Sequence, residues 1–131
     1  MATTKARDSH KKMLKRLVSE YGEIFSGSRQ AIYAYFDDAH MACNKKLSSM
    51  LGYASPKEWA AVMEPFPLAF VAEGSRRALI GAYRDAMEHQ VGSKIELEWV
   101  RKDGGKVKSN VILVPVSFEG HLFALHFVGK K

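Results

Sequence analysis

Cysteine and long apolar runs are both scarce in this sequence. A single cysteine, Cys43, occurs among 131 residues, which excludes an internal disulfide and a zinc site built from paired cysteines. No apolar run approaches the roughly 18 residues of a membrane-spanning helix, and no apolar segment of a secretion signal follows the basic N-terminal residues. These absences predict a soluble protein of a reducing compartment. We therefore expect a cytoplasmic protein without a membrane partner.

Catalytic and metal-binding motifs are also lacking. The sequence contains no glycine-rich phosphate loop, and its five histidines show none of the spacings that are typical of metal sites. Asp37 and Asp38 with His40 form a possible acid–base cluster, but a hairpin turn explains both aspartates without catalysis. The sequence therefore predicts no catalytic residue, no metal site and no enzymatic activity.

The composition is that of one globular domain with a positive charge balance. Apolar residues make up 47% and aromatic residues 11% of the chain, which is enough to build one hydrophobic core. The net charge of +6 arises from 20 basic and 14 acidic residues, and six of the basic ones lie among the first 16 residues. A nucleic-acid binder would carry its basic residues across one face. Nucleic acid is therefore not the expected partner, although a basic nucleic-acid-binding domain stays as a minor alternative.

The N-terminal segment has the pattern of an amphipathic helix. From Lys5 to Phe25, apolar residues recur at steps of three and four, so they share one helical face. Part of this stripe also fits a heptad seam over about two heptads. The stripe either packs on its own domain or forms a dimer contact, and both interpretations stay open. The residues assigned to a dimer contact are Leu14, Leu17, Val18, Tyr21 and Ile24.

The rest of the chain predicts two strands, several helices and three more strands. Asn44 and Ser55 are placed to cap two short helices, and a longer helix follows until Gly92. The apolar period then changes to two, which indicates strands joined by turns at 103–105 and 119–120. Five strands bury their apolar sides together as one antiparallel α+β sheet, covered on one face by the intervening helices. The predicted strands are Ala31–Asp37, His40–Cys43, Ile95–Trp99, Val107–Phe118 and Leu122–Val128.

Two motifs resemble those of the PAS domain family. The segment Asn44–Tyr53 ends in Leu-Gly-Tyr and is followed by Ser-Pro-Lys-Glu-Trp, and the turn at 101–104 reads Arg-Lys-Asp-Gly. Both are similar to PAS motifs, and the resemblance covers residues 29–128. It implies a five-stranded sheet with short helices that enclose a pocket. It also implies a division into an N-terminal flanking helix for dimerisation and signalling, residues 1–28, and a PAS-like domain, residues 29–131.

The resemblance disfavours two cofactors of the family, flavin and haem. Flavin-binding light sensors carry a reactive cysteine in an Asn-Cys-Arg motif, whereas residues 63–70 here contain none. Haem-binding members place a histidine in the early or middle part of the long helix, where this chain has Arg76, Arg77, Leu79 and Ile80. The cofactor therefore stays unknown, with haem and flavin disfavoured.

Large apolar side chains from the sheet and its covering helices are the remaining functional signal. They either fill the interior or line a ligand pocket, and both interpretations stay open. The resemblance implies a sensory module that binds a small ligand or a signalling protein and passes the signal through the flanking helix of a homodimer. The alternative is a small cone-shaped enzyme of the ketosteroid-isomerase type, against which the apolar strand positions argue. The predicted pocket residues are Tyr35, Trp59, Phe66, Phe70, Tyr83, Met87, Trp99, Leu113 and Leu125.

Overall fold

A five-stranded antiparallel sheet forms the centre of the protein. The computed structural model describes the backbone of residues 2–37 and 40–130, and the side chains of 10–37 and 40–129. The strand order is β2-β1-β5-β4-β3, which confirms the predicted sheet. The predicted turn residue Asp38 lies outside the described residues. The strands are β1 Ala31–Asp37, β2 His40–Cys43, β3 Ser93–Val100, β4 Lys106–Phe118 and β5 His121–Lys130.

Helices fill the interval before β1 and the interval between β2 and β3. The N-terminal helix was predicted as one segment, but the structure divides it at Tyr21 into two helices. A single 3-10 turn, Glu73–Ser75, precedes the longest of the later helices. No described helix has the length and apolar character needed to cross a membrane. The helices are α1 Ala2–Glu20, α2 Gly22–Gly27, α3 Lys45–Met50, α4 Pro56–Ala60, α5 Phe66–Phe70 and α6 Arg76–His89.

The predicted caps hold the short helices in place. The Asn44 side chain accepts a hydrogen bond from the backbone N–H of Leu47 at 3.1 Å, as an N-cap does. It also accepts from the N–H of Ile32 at 3.1 Å, which ties the start of α3 to β1. Ser55 caps α4 by accepting from the N–H of Glu58 at 3.1 Å. Local sequence therefore fixes where both helices begin and how α3 meets the sheet.

The predicted end of α6 at Gly92 was wrong. The helix ends at His89, and Gln90 adopts the left-handed conformation with φ 55°. The N–H of Gln90 bonds to the carbonyl of Ala86 at 3.1 Å, so the last turn is closed without a glycine. Val91, which follows the left-handed Gln90, is half exposed. Gly92 instead passes close to β4, because a Cβ there would lie 3.3 Å from the carbonyl oxygen of Leu113.

The sheet separates two clusters of buried side chains. The first, here called the pocket face, lies between the sheet and helices α3 to α6 and contains Tyr33, Trp59 and Trp99. Cys43 at the end of β2 belongs to it, and burial raises the pKa of its thiol to about 12. The second, here called the α1 face, contains Ile32 and other residues of the opposite strand side. The α1 face is completed by Met13, Leu17, Phe25, Ala34, Phe118 and Phe123.

Helix α1 therefore covers the sheet face that the short helices leave open. Leu17 has 0% of its surface exposed, and Met13 is also buried. For these two residues, the structure favours packing on their own chain over a dimer contact, which were the two interpretations left open for the stripe. Arg16 on α1 forms an ion pair with Glu119, which lies in the turn between β4 and β5. The N-terminal helix thus contacts both the strands and the turn that joins the last two of them.

Candidate functional site

A cavity of about 260 Å³ lies on the pocket face between the sheet and helices α5 and α6. Strands β1 and β5 form its floor, and the two helices form its walls. Ile80 on α6 lines the cavity and is 42% exposed, so the cavity reaches the surface beside this residue. The lining residues are Tyr33, Tyr35, Phe66, Pro67, Leu79, Ile80, Tyr83 and His126.

The alternation of side chains along neighbouring strands brings Tyr33, Tyr35 and His126 to the cavity. Tyr33 and Tyr35 are two residues apart on β1, so they point to the same face. His126 on β5 is the register partner of Tyr33. Their rings stack with centroids 3.9 Å apart and an angle of 10° between the planes. The floor of the cavity is therefore a pair of stacked rings that join the two central strands.

Aromatic rings also frame the walls of the cavity. Tyr35 meets Tyr83 edge to face at 5.3 Å and Phe66 at 5.5 Å between ring centroids. The hydroxyl of Tyr83 lies 3.5 Å from the backbone carbonyl of Phe36, to which it donates. Such aromatic pairs add attraction beyond the apolar area they bury. The rings therefore contact one another around the cavity.

Two polar atoms of the cavity floor lack hydrogen-bond partners. Within the described part of the chain, the Tyr33 hydroxyl and His126 Nδ1 are buried and make no hydrogen bond. The two residues are 1% and 2% exposed. Leaving a buried donor or acceptor unpaired costs about 1–3 kcal/mol. Both residues line the cavity.

Burial keeps both of these groups uncharged. It lowers the pKa of His126 from 6.5 to about 3, an effect that the nearby backbone groups of Ala124 and Tyr33 only partly offset. Burial likewise raises the pKa of the Tyr33 hydroxyl well above 10. A neutral imidazole has one donor and one acceptor nitrogen, and a neutral phenol can do both. The cavity floor therefore offers uncharged hydrogen-bonding groups in an aromatic setting.

The predicted pocket residues fall into three groups. Tyr35, Phe66 and Tyr83 line the cavity. A second group is fully buried and fills the core of the pocket face without lining the cavity: Trp59, Phe70, Trp99 and Leu113. Met87 packs against that core. The third group is Leu125 alone.

Leu125 was predicted for the pocket and lies on the other side of the sheet. It packs against the α1 face. On β5 the even-numbered residues Ala124 and Val128 belong to the pocket face, so the odd-numbered Leu125 points away from it. The pocket prediction was therefore wrong for this residue.

Sequence reasoning missed Tyr33, Pro67, Leu79, Ile80 and His126. Tyr33 was predictable from the sequence, because this residue precedes Tyr35 by two positions on the same predicted strand. His126 was missed because Leu125 had been placed on the pocket face, and neighbouring strand residues point to opposite faces. His126 is the one buried histidine among the described residues that faces the aromatic cluster. Only the strand register reveals this position.

The residues assigned to a dimer contact differ widely in exposure. Leu17 is buried in its own chain, while Leu14 and Tyr21 pack partly against the α1 face. Val18 is partly exposed, and Ile24 on α2 is 45% exposed. Of these five residues, Ile24 is the most exposed, while Leu14, Val18 and Tyr21 are only partly exposed. The dimer contact itself stays a prediction.

A group of polar side chains lies at the rim of the α1 face. His10 Nδ1 is 3.1 Å from Asp37 Oδ2, and His40 Nδ1 is 2.8 Å from Asp37 Oδ1. Their donor atoms all lie within 4.8 Å of one another, as metal ligands can. The expectation of no metal site rested on sequence spacing, which does not reveal a group assembled from separate elements.

No family model and no curated protein matches the sequence. Solved structures do resemble it. A PAS domain from Colwellia psychrerythraea superposes with a TM-score of 0.68 at 19% identity, covering 88% of this chain and 97% of that one. The PAS domain of an HTR-like protein from Haloarcula marismortui gives 0.62 at 18% identity, covering 97% and 99%.

A LOV protein from Rhodobacter sphaeroides is also similar, with a TM-score of 0.66 at 15% identity over 88% of this chain and 67% of that one. At such identities the likeness is one of fold. It agrees with the element order and the sheet order described above.

Proposed function

Because the chain has the PAS fold, we propose that it is a sensory module that binds a small ligand in the cavity of the pocket face. In this proposal, helices α1 and α2, within the flanking segment of residues 1–28, pass the signal from the PAS-like domain of residues 29–131 to a second copy of the chain or to a signalling protein. The observation that carries the proposal is the pair of buried polar atoms, Tyr33 Oη and His126 Nδ1, left without partners among the described residues.

The cavity specifies the class of ligand. An apolar cavity of about 150 Å³ accepts a benzene molecule, so 260 Å³ accommodates an aromatic ring with small substituents. A flavin has three fused rings and a haem four linked ones, so both are larger than a single substituted ring. The uncharged groups of Tyr33 and His126 favour a neutral ligand that carries both a hydrogen-bond donor and an acceptor. A small substituted aromatic molecule meets these requirements.

Strands β1 and β5 provide a physical route from the cavity to α1. Tyr33 and His126 point into the pocket face, while Ile32 and Phe123 on the same two strands point into the α1 face. Leu17 of α1 belongs to that second cluster. A ligand that shifts either strand therefore moves residues that α1 contacts directly. Such a shift becomes a signal when the ligand binds one arrangement of α1 more tightly than another.

The same geometry supports a binding module over the ketosteroid-isomerase-like alternative. That kind of enzyme needs a carboxylate or a basic histidine aimed into its cavity, and no carboxylate is among the lining residues that the structure describes. His126 has a pKa of about 3, which makes it a weak general base near neutral pH. We accordingly propose a non-enzymatic role.

Ligand binding is tested by native mass spectrometry of freshly purified protein and by titration of ¹⁵N-labelled protein with phenol and indole. We expect either retained mass or saturable chemical-shift changes centred on Tyr33, Tyr83 and His126. Tyr33→Phe removes one hydrogen-bonding group and should weaken phenol binding about tenfold. Tyr21→Phe, a matched change on the α1 face, should leave it unaltered. A bare mass together with no saturable shift at these residues would overturn the proposal.

The same spectra test the dimer, because native mass spectrometry reports stoichiometry. Ile24→Glu places a charge on exposed apolar surface and should convert a dimer to a folded monomer. Ser26→Glu on the same helix is the control, since Ser26 is an exposed polar residue. A wild-type monomer would remove the second copy from the proposal and leave a different signalling protein as the receiver.

A further inference from the structure

Three chain segments meet at the rim of the α1 face, and each contributes a polar side chain there. His10 lies on α1, Asp37 ends β1 and His40 begins β2. A register shift between Tyr35 and Asp37 allows Asp37 to pair directly with His40. Such a bulge re-aims the side chains that follow it. The position of Asp37 is thus set by an irregularity of the strand, next to two histidines.

The two imidazoles present the same nitrogen to one carboxylate. His10 Nδ1 is 3.1 Å from Asp37 Oδ2, and His40 Nδ1 is 2.8 Å and 3.1 Å from the two oxygens. The ring of Phe36 stacks on His10 at 6.0 Å and also contacts Phe123 at 5.2 Å. Packing therefore restrains the His10 ring, and the burial of His40 restrains the other.

We propose that His10, Asp37 and His40 bind one divalent transition-metal ion of the zinc type. Imidazole nitrogen with one carboxylate oxygen is a common donor set for zinc and its neighbours, whereas magnesium and calcium prefer oxygen alone. In the tautomer with the proton on Nε2, both Nδ1 lone pairs point toward the carboxylate.

The distances between the donor atoms suit a metal ion. Ligand atoms about 2.1 Å from a tetrahedral metal are about 3.4 Å apart, and the donor atoms here lie within 4.8 Å of one another. Small side-chain rotations therefore complete the site.

A metal site here has an open side and a third histidine nearby. The side chains of His10 and Asp37 are 33% and 41% exposed, so an ion can enter from solvent. The ring of His121, at the start of β5, lies 5.7 Å from that of His10 between centroids. Zinc takes four ligands, and His121 or a water molecule fills the fourth position. The ion would then join α1 to the end of β1 and the start of β2.

The consequence is a clamp on the N-terminal helix that is separate from the ligand cavity. The cavity lies on the pocket face, while the three ligands lie at the rim of the opposite face. An ion that binds only the arrangement with α1 in place stabilises that arrangement by a free energy that grows with the logarithm of its concentration over its dissociation constant. Metal would therefore act as a second input on the helix, whether or not the cavity binds a ligand.

The test uses tag-free protein with zinc chloride in calorimetry and cobalt chloride in absorption spectroscopy. We expect one zinc ion per chain, visible cobalt bands of a tetrahedral or five-coordinate site, and a rise in Tm of about 5–10 °C at zinc concentrations near 100 times the dissociation constant. His10→Gln and Asp37→Asn should each lower zinc affinity at least 100-fold. The control is His89→Gln, because His89 is an exposed histidine near the end of α6.

Zinc binding of wild-type strength in His10→Gln and Asp37→Asn would overturn the proposal, and so would the absence of stoichiometric zinc binding in the wild type. His10 is partly exposed, so its substitution should leave the fold intact, and far-UV circular dichroism checks this. Titration of His10→Gln with phenol then separates the two sites. The variant should lose zinc and keep any binding of phenol to the cavity.

Discussion

The two faces of the sheet bury similar aromatic and aliphatic side chains but differ in the hydrogen bonding of their polar atoms. On the pocket face, the Tyr33 hydroxyl and His126 Nδ1 are buried beside a cavity without partners among the described atoms. On the α1 face, the polar side chains gather at the rim, where His10 and His40 bond to Asp37. The pocket face thus contains buried polar atoms without hydrogen bonds, whereas the polar groups at the edge of the α1 face are hydrogen-bonded.

The pocket face can satisfy a buried polar group where only packing is required. The indole N–H of Trp99 donates to the hydroxyl of Ser109 at 2.6 Å, and both residues are fully buried. Among the described residues, three buried polar side-chain atoms of this face lack partners: Tyr33 Oη and His126 Nδ1, whose residues line the cavity, and Trp59 Nε1, whose residue lies in the core. Buried polar groups without partners are uncommon in folded proteins. The comparison teaches that two of the three unpaired atoms belong to residues that line the cavity.

The largest expected effect compares one leucine from each face. Leu17→Ala on the α1 face should lower the free energy of unfolding by about 3–4 kcal/mol, because Leu17 is fully buried and its truncation leaves a new void. Leu79→Ala should cost about 2 kcal/mol, since Leu79 borders an existing cavity and has fewer contacts to lose. Urea unfolding followed by circular dichroism measures both. Equal losses would break the comparison, and a loss below about 1 kcal/mol for Leu17→Ala would show that α1 adds little to the folded state.

The second effect is a pH dependence that arises from the pocket face. The pKa of His126 is about 3 in the folded protein and 6.5 when exposed, so the unfolded chain binds a proton that the folded chain does not. Stability is therefore complete above pH 6.5 and is lost as the pH falls toward 3. Between pH 7.5 and pH 5 the free energy of unfolding should fall by about 2 kcal/mol from this group alone.

Urea midpoints at several pH values measure this loss. His126→Phe should remove it, whereas His89→Gln, which changes an exposed histidine, should keep it. A wild-type loss that persists unchanged in His126→Phe would mean that other groups cause it, and would contradict the burial of a neutral His126.

The smallest effect compares two polar groups within the pocket face. Ser109→Ala leaves the N–H of Trp99 buried without its acceptor and should cost about 1–2 kcal/mol. Tyr33→Phe removes a hydroxyl that has no partner in the described structure, so the change should stay within about 0.5 kcal/mol or be a gain. Urea unfolding of the two variants decides the point. Similar costs would indicate that the Tyr33 hydroxyl is satisfied in solution.

The fold was largely predictable because its signals are local. The capping residues Asn44 and Ser55 and the two turns at 103–105 and 119–120 each fix a boundary through interactions within a few residues. The end of α6 was not predictable in this way. Gly92 has the usual signature of a helix end, but its lack of a side chain serves a close approach to Leu113, which is distant in sequence.

The candidate sites were less predictable because they depend on register and on long-range contacts. Strand alternation identified Tyr35 but misplaced Leu125, since the sequence of β5 is apolar on both faces and does not show which parity faces the pocket. The polar group at the rim joins His10 to residues 27 and 30 positions later, across a strand bulge. No short spacing in the sequence encodes such a meeting.

The burial of Cys43 has a practical consequence for following the motion of α1. With its pKa raised to about 12, the thiol carries almost no thiolate at neutral pH and reacts slowly with alkylating labels. A cysteine introduced at the exposed position Glu20, at the end of α1, would then be the one readily labelled thiol in the chain. A spin label or fluorophore can thus be attached beside Tyr21, where α1 meets α2, while the native cysteine stays in place.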